Sequence, residues 1–137
     1  IVLDHAGGPM RLGYYAERAE EEFEAWRSKI VELSDCENVS IKLGGLGMKL
    51  NGFGFDTRAK APSSDELADA WRPYIDTCIT AFGSQRCMFE SNFPVDKASI
   101  SYAVLWNAFK KLARSYSPEE KDSLFYKTAA EVYRITD

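Results

Sequence analysis

Several things are scarce in this sequence, and each shortage removes a class of function. Among 137 residues there is one histidine, His5, and there are three cysteines, Cys36, Cys78 and Cys87. The cysteines are odd in number and stand in no Cys-x-x-Cys spacing, so neither a disulfide framework nor a thiolate zinc site is encoded. Each is expected to serve as a small buried hydrophobe in a reducing, cytoplasmic compartment. No apolar run approaches the ~20 residues that span a bilayer, so no membrane partner is expected. Charge of one sign is also missing: 17 basic and 21 acidic residues are mixed along the chain, with a net charge of -4. No basic stripe is available to neutralise phosphates, which argues against a nucleic-acid partner. The glycine-rich stretch "GGLGMKLNGFGF" lacks both the dinucleotide-binding glycine spacing and the Lys-Ser/Thr of a P-loop. Finally, there is no initiating methionine and no targeting pattern before "IVLDHAGGP", which reads as a strand already under way. The chain is therefore expected to be the C-terminal portion of something larger.

What is present is a repeated order: a short apolar strand, a loop with glycine or proline, then an amphipathic helix. Residues 1–5 predict the first strand, and a helix over about 16–33 places Phe23, Trp26, Ile30 and Leu33 on one stripe. "VSIKL" (39–43) predicts the second strand, with a helix over about 65–82 opened by Ser63 and Glu66 in a capping box. "RCMFES" (86–91) predicts the third, followed by Asn92-Phe93-Pro94 and a helix over about 99–113. A last helix opens at "SPEE", where Ser117 caps and Pro118 takes the first helical position. This alternation marks an α/β protein with a parallel sheet.

In such units the chemistry sits where strands give way to loops, which singles out His5, Lys42 and Asn92. Alternation sorts the side chains further. Val39, Ile41 and Leu43 share a face meant for helices, and Lys42 points to the other. Glu90 and Asn92 share that second face, so Lys42 and Glu90 should converge. A buried lysine beside a glutamate needs a partner or a use. Asp4 is expected to face away from His5 and bond to neighbouring backbone or helix groups.

"LDHAGGP", "VSIKLGGLGM" and "RCMFESNFPVDK", in this order and spacing, resemble the C-terminal part of amidohydrolase-related proteins, in the branch with sugar-acid lactonases, the pyrone-dicarboxylate lactone hydrolase and related decarboxylases. The closing "LFYKTAAEVYRI" is similar to the last helix of that family. The resemblance implies a (β/α)8 TIM barrel, of which residues 1–137 would form the C-terminal portion: strands six to eight, three βα units plus a final helix, within one domain. It implies a hydrolase acting on a lactone or similar ester or amide bond of a small carboxylate-bearing molecule. The alternatives are a non-oxidative decarboxylase on the same scaffold and a catalytically inert barrel fragment. One divalent metal ion, Zn2+ or similar, is the implied cofactor, with His5 matching the family's strand-end histidine as catalyst or metal ligand. Asn92 stands where many members carry an aspartate, and an amide is neither a general base nor a strong ligand. Glu90 stands where the family commonly has glycine.

Each candidate has a plainer reading beside it. Lys42 either grips an anionic substrate group or only pairs with Glu90. Asn92 either orients water or a carbonyl, or only shapes the turn into Phe93-Pro94. Asp96 either supplies the carboxylate that position 92 lacks or, as the preferred reading, caps the helix near Ser99. Arg11 is a second candidate for binding an anion. Met48, Phe53 and Phe55 are candidate pocket walls, and Trp26, Trp71 and Trp106 are assigned to packing. Three units leave both outer strands unpaired, so an isolated chain is expected to be inactive, with a homo-oligomer through the sheet edge as one outcome.

Overall fold

The computed structural model describes residues 1–136. Three short strands, β1 (Val2–Leu3), β2 (Ser40–Leu43) and β3 (Cys87–Phe89), form a parallel sheet in the order β1-β2-β3. Parallel neighbours need crossovers, and these are helical: α1 (Ala19–Ser34) joins β1 to β2, and α2 (Ser64–Phe82) joins β2 to β3. After β3 come α3 (Tyr102–Leu112), α4 (Pro118–Asp122), a π-helical segment (Ser123–Lys127) and α5 (Thr128–Tyr133). The three βα units and final helix are the expected α/β arrangement, the C-terminal portion of a (β/α)8 barrel.

The caps fall where short-range chemistry puts them. Ser63 accepts from the Glu66 N–H and Glu66 reaches back to the Ser63 N–H, closing a capping box; Ser117 and Glu120 repeat the motif with Pro118 in the first turn. Helix α2 is the central packing element, burying Leu67, Trp71, Tyr74, Ile75, Cys78 and Phe82. By contrast α1 buries only Ile30 fully; Phe23 and Trp26 lean on Tyr74 of α2, each with ring centroids 5.0 Å away.

The register fixes the two faces of the sheet. Val2 pairs with Ser40, Ile41 with Cys87 and Lys42 with Met88. Ile41, Leu43 and Cys87 are fully buried under the helices, and Phe89 on the same side stacks on Phe109 at 4.4 Å. Lys42 lies on the opposite face, where the Tyr133 ring of α5 comes within 5.6 Å of its Nζ.

Several boundaries differ from expectation. The first strand stops at Leu3 because His5 and Ala6 have φ of 55° and 50°, which strand pairing forbids. The first helix begins at Ala19, after a 3-10 turn at Gly13–Tyr15. The third begins at Tyr102, capped by Ser101, whose Oγ accepts from the Val104 N–H.

Candidate active site at the strand ends

The site is assembled by the exits of all three strands. From β1 the chain turns sharply through "DHAGG", with Gly7 and Gly8 donating to the carbonyls of Asp4 and His5. Alternation alone would set Asp4, not His5, on the Lys42 face. The positive φ at His5 redirects its ring as well, and the turn is held by buried Ala6, whose carbonyl accepts from the Trp26 indole N–H at 2.9 Å. His5 Nδ1 then meets Glu90 Oε1 at 2.5 Å, and the His5 backbone N–H donates to the same oxygen at 3.2 Å.

Glu90 is shared. Its Oε2 lies 3.7 Å from Lys42 Nζ, while Lys42 makes a closer ion pair with Asp4 Oδ1 at 3.0 Å. Lys42 and Glu90 do converge, as alternation requires. Asp4, expected to bond to neighbouring backbone or helix groups, is instead the nearer partner of Lys42. The hydrogen bond to Asp4 foremost, against an opposing burial cost, and with help from Tyr133 and Glu90, pushes the Lys42 ammonium well above its ordinary range, so it stays charged. The same pairing draws Asp4 down.

From β3 the backbone passes through Asn92 at φ 49° and a cis Phe93–Pro94 bond into a 3-10 turn, Val95–Ala98. This folds Asp96 back under the strand ends, fully buried. Its Oδ1 accepts from Asn92 Nδ2–H at 2.8 Å and its Oδ2 from the Gly47 N–H at 3.1 Å. Burial is the main influence on its carboxyl and raises its pKa, against the Asn92 and Gly47 hydrogen bonds and the nearby His5. The capping role preferred for Asp96 is therefore overturned: Ser101 caps α3, and the Asp96 side chain points the other way.

The glycines after β2 are where the three exits meet. A Cβ at Gly44 would lie 2.3 Å from the Glu90 carbonyl oxygen, and one at Gly45 2.5 Å from His5 Nδ1. A Cβ at Gly47 would stand 2.8 Å from Asp96 Oδ2. The run "GGLG" thus opposes Glu90, His5 and Asp96 in turn, a signal that was in the sequence and could have tied these three residues together.

Two expectations land elsewhere. Arg11 stacks over Phe53 at 5.1 Å and bonds to Tyr74, in a cleft of about 450 Å³ between α1 and α2. Phe53 and Phe55 stack on each other, with Phe53 also against Trp71 and Tyr74, so they pack towards α2 rather than lining the mouth.

Chemically, a carboxylate holding Nδ1 fixes the imidazole and leaves Nε2 to move a proton. A histidine at one strand end is thus held by a carboxylate from another, with a lysine behind it. The amidohydrolase family profile matches residues 1–135, and the chain belongs to that family. It is 37% identical over 139 residues to the uncharacterised protein y4mH of Sinorhizobium fredii, covering 98% of this chain and 39% of that protein. It is 31% identical over 138 residues to an L-fucono-1,5-lactonase of Burkholderia multivorans, covering 100% of this chain and 44% of the lactonase. Two crystal structures of an amidohydrolase from B. multivorans, one with bound HEPES and one with bound zinc, superpose with TM-scores of 0.82 and 0.80 at 29% identity, each covering 98% of this chain and 44% of theirs. The chain thus spans less than half the length of these relatives, matching their C-terminal part.

His5 commits Nδ1 to Glu90 and keeps Nε2 free, as a metal-ligating histidine commonly does, whereas Asp96 is buried with both oxygens engaged. Among the described residues no group of three or more His, Cys, Asp or Glu side chains is placed to hold an ion. Among the same residues no helix is long and apolar enough to cross a membrane.

Proposed function

We propose that the natural polypeptide is a hydrolase that opens a lactone, or a similar ester or amide bond, in a small carboxylate-bearing substrate, with residues 1–137 supplying the last three strand–helix units of a single barrel domain. The observation that carries this reading is the His5–Glu90 pair, 2.5 Å apart and a third or less exposed, which joins the ends of β1 and β3 across β2. The 31% identity to an L-fucono-1,5-lactonase supports the choice of a lactone.

In this reading Glu90 accepts the Nδ1–H, which fixes the tautomer with Nε2 bare towards the mouth. Nε2 takes a proton from the water whose oxygen attacks the carbonyl carbon. The carbon–oxygen bond of the ring then breaks, and the proton passes from Nε2 to the leaving oxygen. Lys42 sets a positive charge beside Glu90, where a substrate carboxylate could exchange with the exposed Asp4. Asn92 offers a neutral hydrogen-bonding group in place of a carboxylate.

The test is hydrolysis of a panel of sugar-acid 1,4- and 1,5-lactones by the full-length polypeptide. His5→Ala is expected to lower kcat/KM at least about tenfold, the low end for a positioned acid–base group. A smaller loss removes His5 from the chemistry.

A further inference from the structure

The geometry points to Asp96 as a positioning residue that decides which end of the Asn92 amide faces the strand-end mouth. The inference rests on the hydrolase reading for its consequence, but not for its geometry. An asparagine amide has a donor end and an acceptor end of nearly the same shape, and only its hydrogen-bond partners choose between them. Asp96 makes that choice. Its Oδ1 accepts from Asn92 Nδ2–H at 2.8 Å and draws the amino end inward, leaving Asn92 Oδ1 as the outward acceptor. Its Oδ2 is held by the Gly47 N–H at 3.1 Å, so the carboxylate cannot swing away.

Two simpler roles do not explain Asp96. It does not cap α3, since Ser101 does. Nor is it needed only to tie the two loops together, because Ser99 Oγ–H already donates to the Gly47 carbonyl at 2.6 Å. What a carboxylate provides and a neutral side chain does not is acceptance on both sides at once. Asn92 thereby shows the mouth an acceptor oxygen, as an aspartate would, without adding a charge beside Glu90.

This complementarity predicts its own breakage and repair. An amide at position 96 accepts on one side only. It must set its amino group against the Gly47 N–H, or turn and force Asn92 to present its amino end outward. Exchanging the two, Asn92→Asp with Asp96→Asn, restores every bond: the new amide accepts from Gly47 and donates to the new carboxylate.

The experiment compares the full-length wild type, Asp96→Asn and the double exchange, with L-fucono-1,5-lactone as substrate. Asp96→Asn is expected to remain folded by circular dichroism and to lose at least about tenfold in kcat while KM moves by less than about threefold. The double exchange is expected to recover most of that loss. A folded Asp96→Asn with kcat within threefold of wild type, or a folded double exchange as slow as the single variant, overturns the role. A second readout needs neither turnover nor a folded variant. In the wild type, the Asn92 side-chain amide should show one proton in slow exchange with water by NMR. Fast exchange of both protons overturns the Asp96–Asn92 bond itself, whereas slow exchange without turnover of any lactone in the sugar-acid panel upholds the bond and removes the lactonase reading.

Discussion

On its helix-covered side the sheet presents Ile41, Leu43 and Cys87, none with any exposure, under a helix that contributes Leu67, Trp71 and Ile75. At the exits of the same strands, His5, Lys42, Glu90 and Asn92 are polar and partly exposed; Glu90 pairs with His5 and Lys42, and Asn92 donates to Asp96. The largest buried apolar side chains are on the first side, and the ion pairs His5–Glu90, Lys42–Asp4 and Lys42–Glu90 are on the second, while Lys111–Asp65 ties α3 to α2 in the helix layer. The apolar layer and the polar cluster are therefore separable, even though they share strands. The region between them is the glycine run after β2, which touches both.

That separation can be broken from either side. The largest effect is expected from Trp71→Ala, which empties a fully buried site and should lower the unfolding free energy by about 3–5 kcal/mol, read from urea denaturation. Next comes Gly45→Ala, which puts a Cβ where His5 Nδ1 sits and asks a non-glycine residue to hold φ 68°. It should cost at least about tenfold in kcat/KM while leaving the helical circular dichroism intact, since no helix contact changes. A loss of helical signal in Gly45→Ala would show that the two regions are not separable.

A smaller and pH-dependent effect belongs to Asp96. Its carboxyl is raised by burial, so the folded chain holds that proton more tightly than the unfolded one. Its contribution to stability therefore rises as pH falls through the folded pKa and is complete near the unfolded value of about 3.9. Subtracting Asp96→Asn from wild type in urea midpoints between neutral pH and about 4 should show this slope and cancel the other carboxylates. The smallest effect is expected for Asp4→Asn. Asp4 is more than half exposed, and losing its ion pair with Lys42 should move stability by no more than about 0.5 kcal/mol.

The two regions also differed in how far they could be read from the sequence. Helices α1 and α2, the capping boxes at Ser63 and Ser117, and the apolar face of β2 followed from short-range patterns, because spacing and caps act within a few residues. The convergence of Lys42 and Glu90 also followed, since alternation holds as long as a strand stays regular. The reading failed where regular backbone ends. His5 at φ 55° escapes the alternation, while Asp4, still extended and level with Lys42 across the sheet, becomes its nearer partner. Asp96 sits just ahead of a helix, where aspartate usually caps, and only the sharp turn through Asn92-Phe93-Pro94 directs it inward. Tyr133 reaches Lys42 from 91 residues away, which no local pattern encodes.

The central claim is that Glu90 makes His5 a working base at the strand ends. The most direct measurement is kcat and KM for lactone hydrolysis by Glu90→Gln in the full-length polypeptide, alongside its urea midpoint. The account predicts at least about a tenfold loss of kcat with the urea midpoint unchanged, because the amide still fits but no longer supports a protonated imidazole. A kcat within threefold of wild type, with the protein folded, would contradict it.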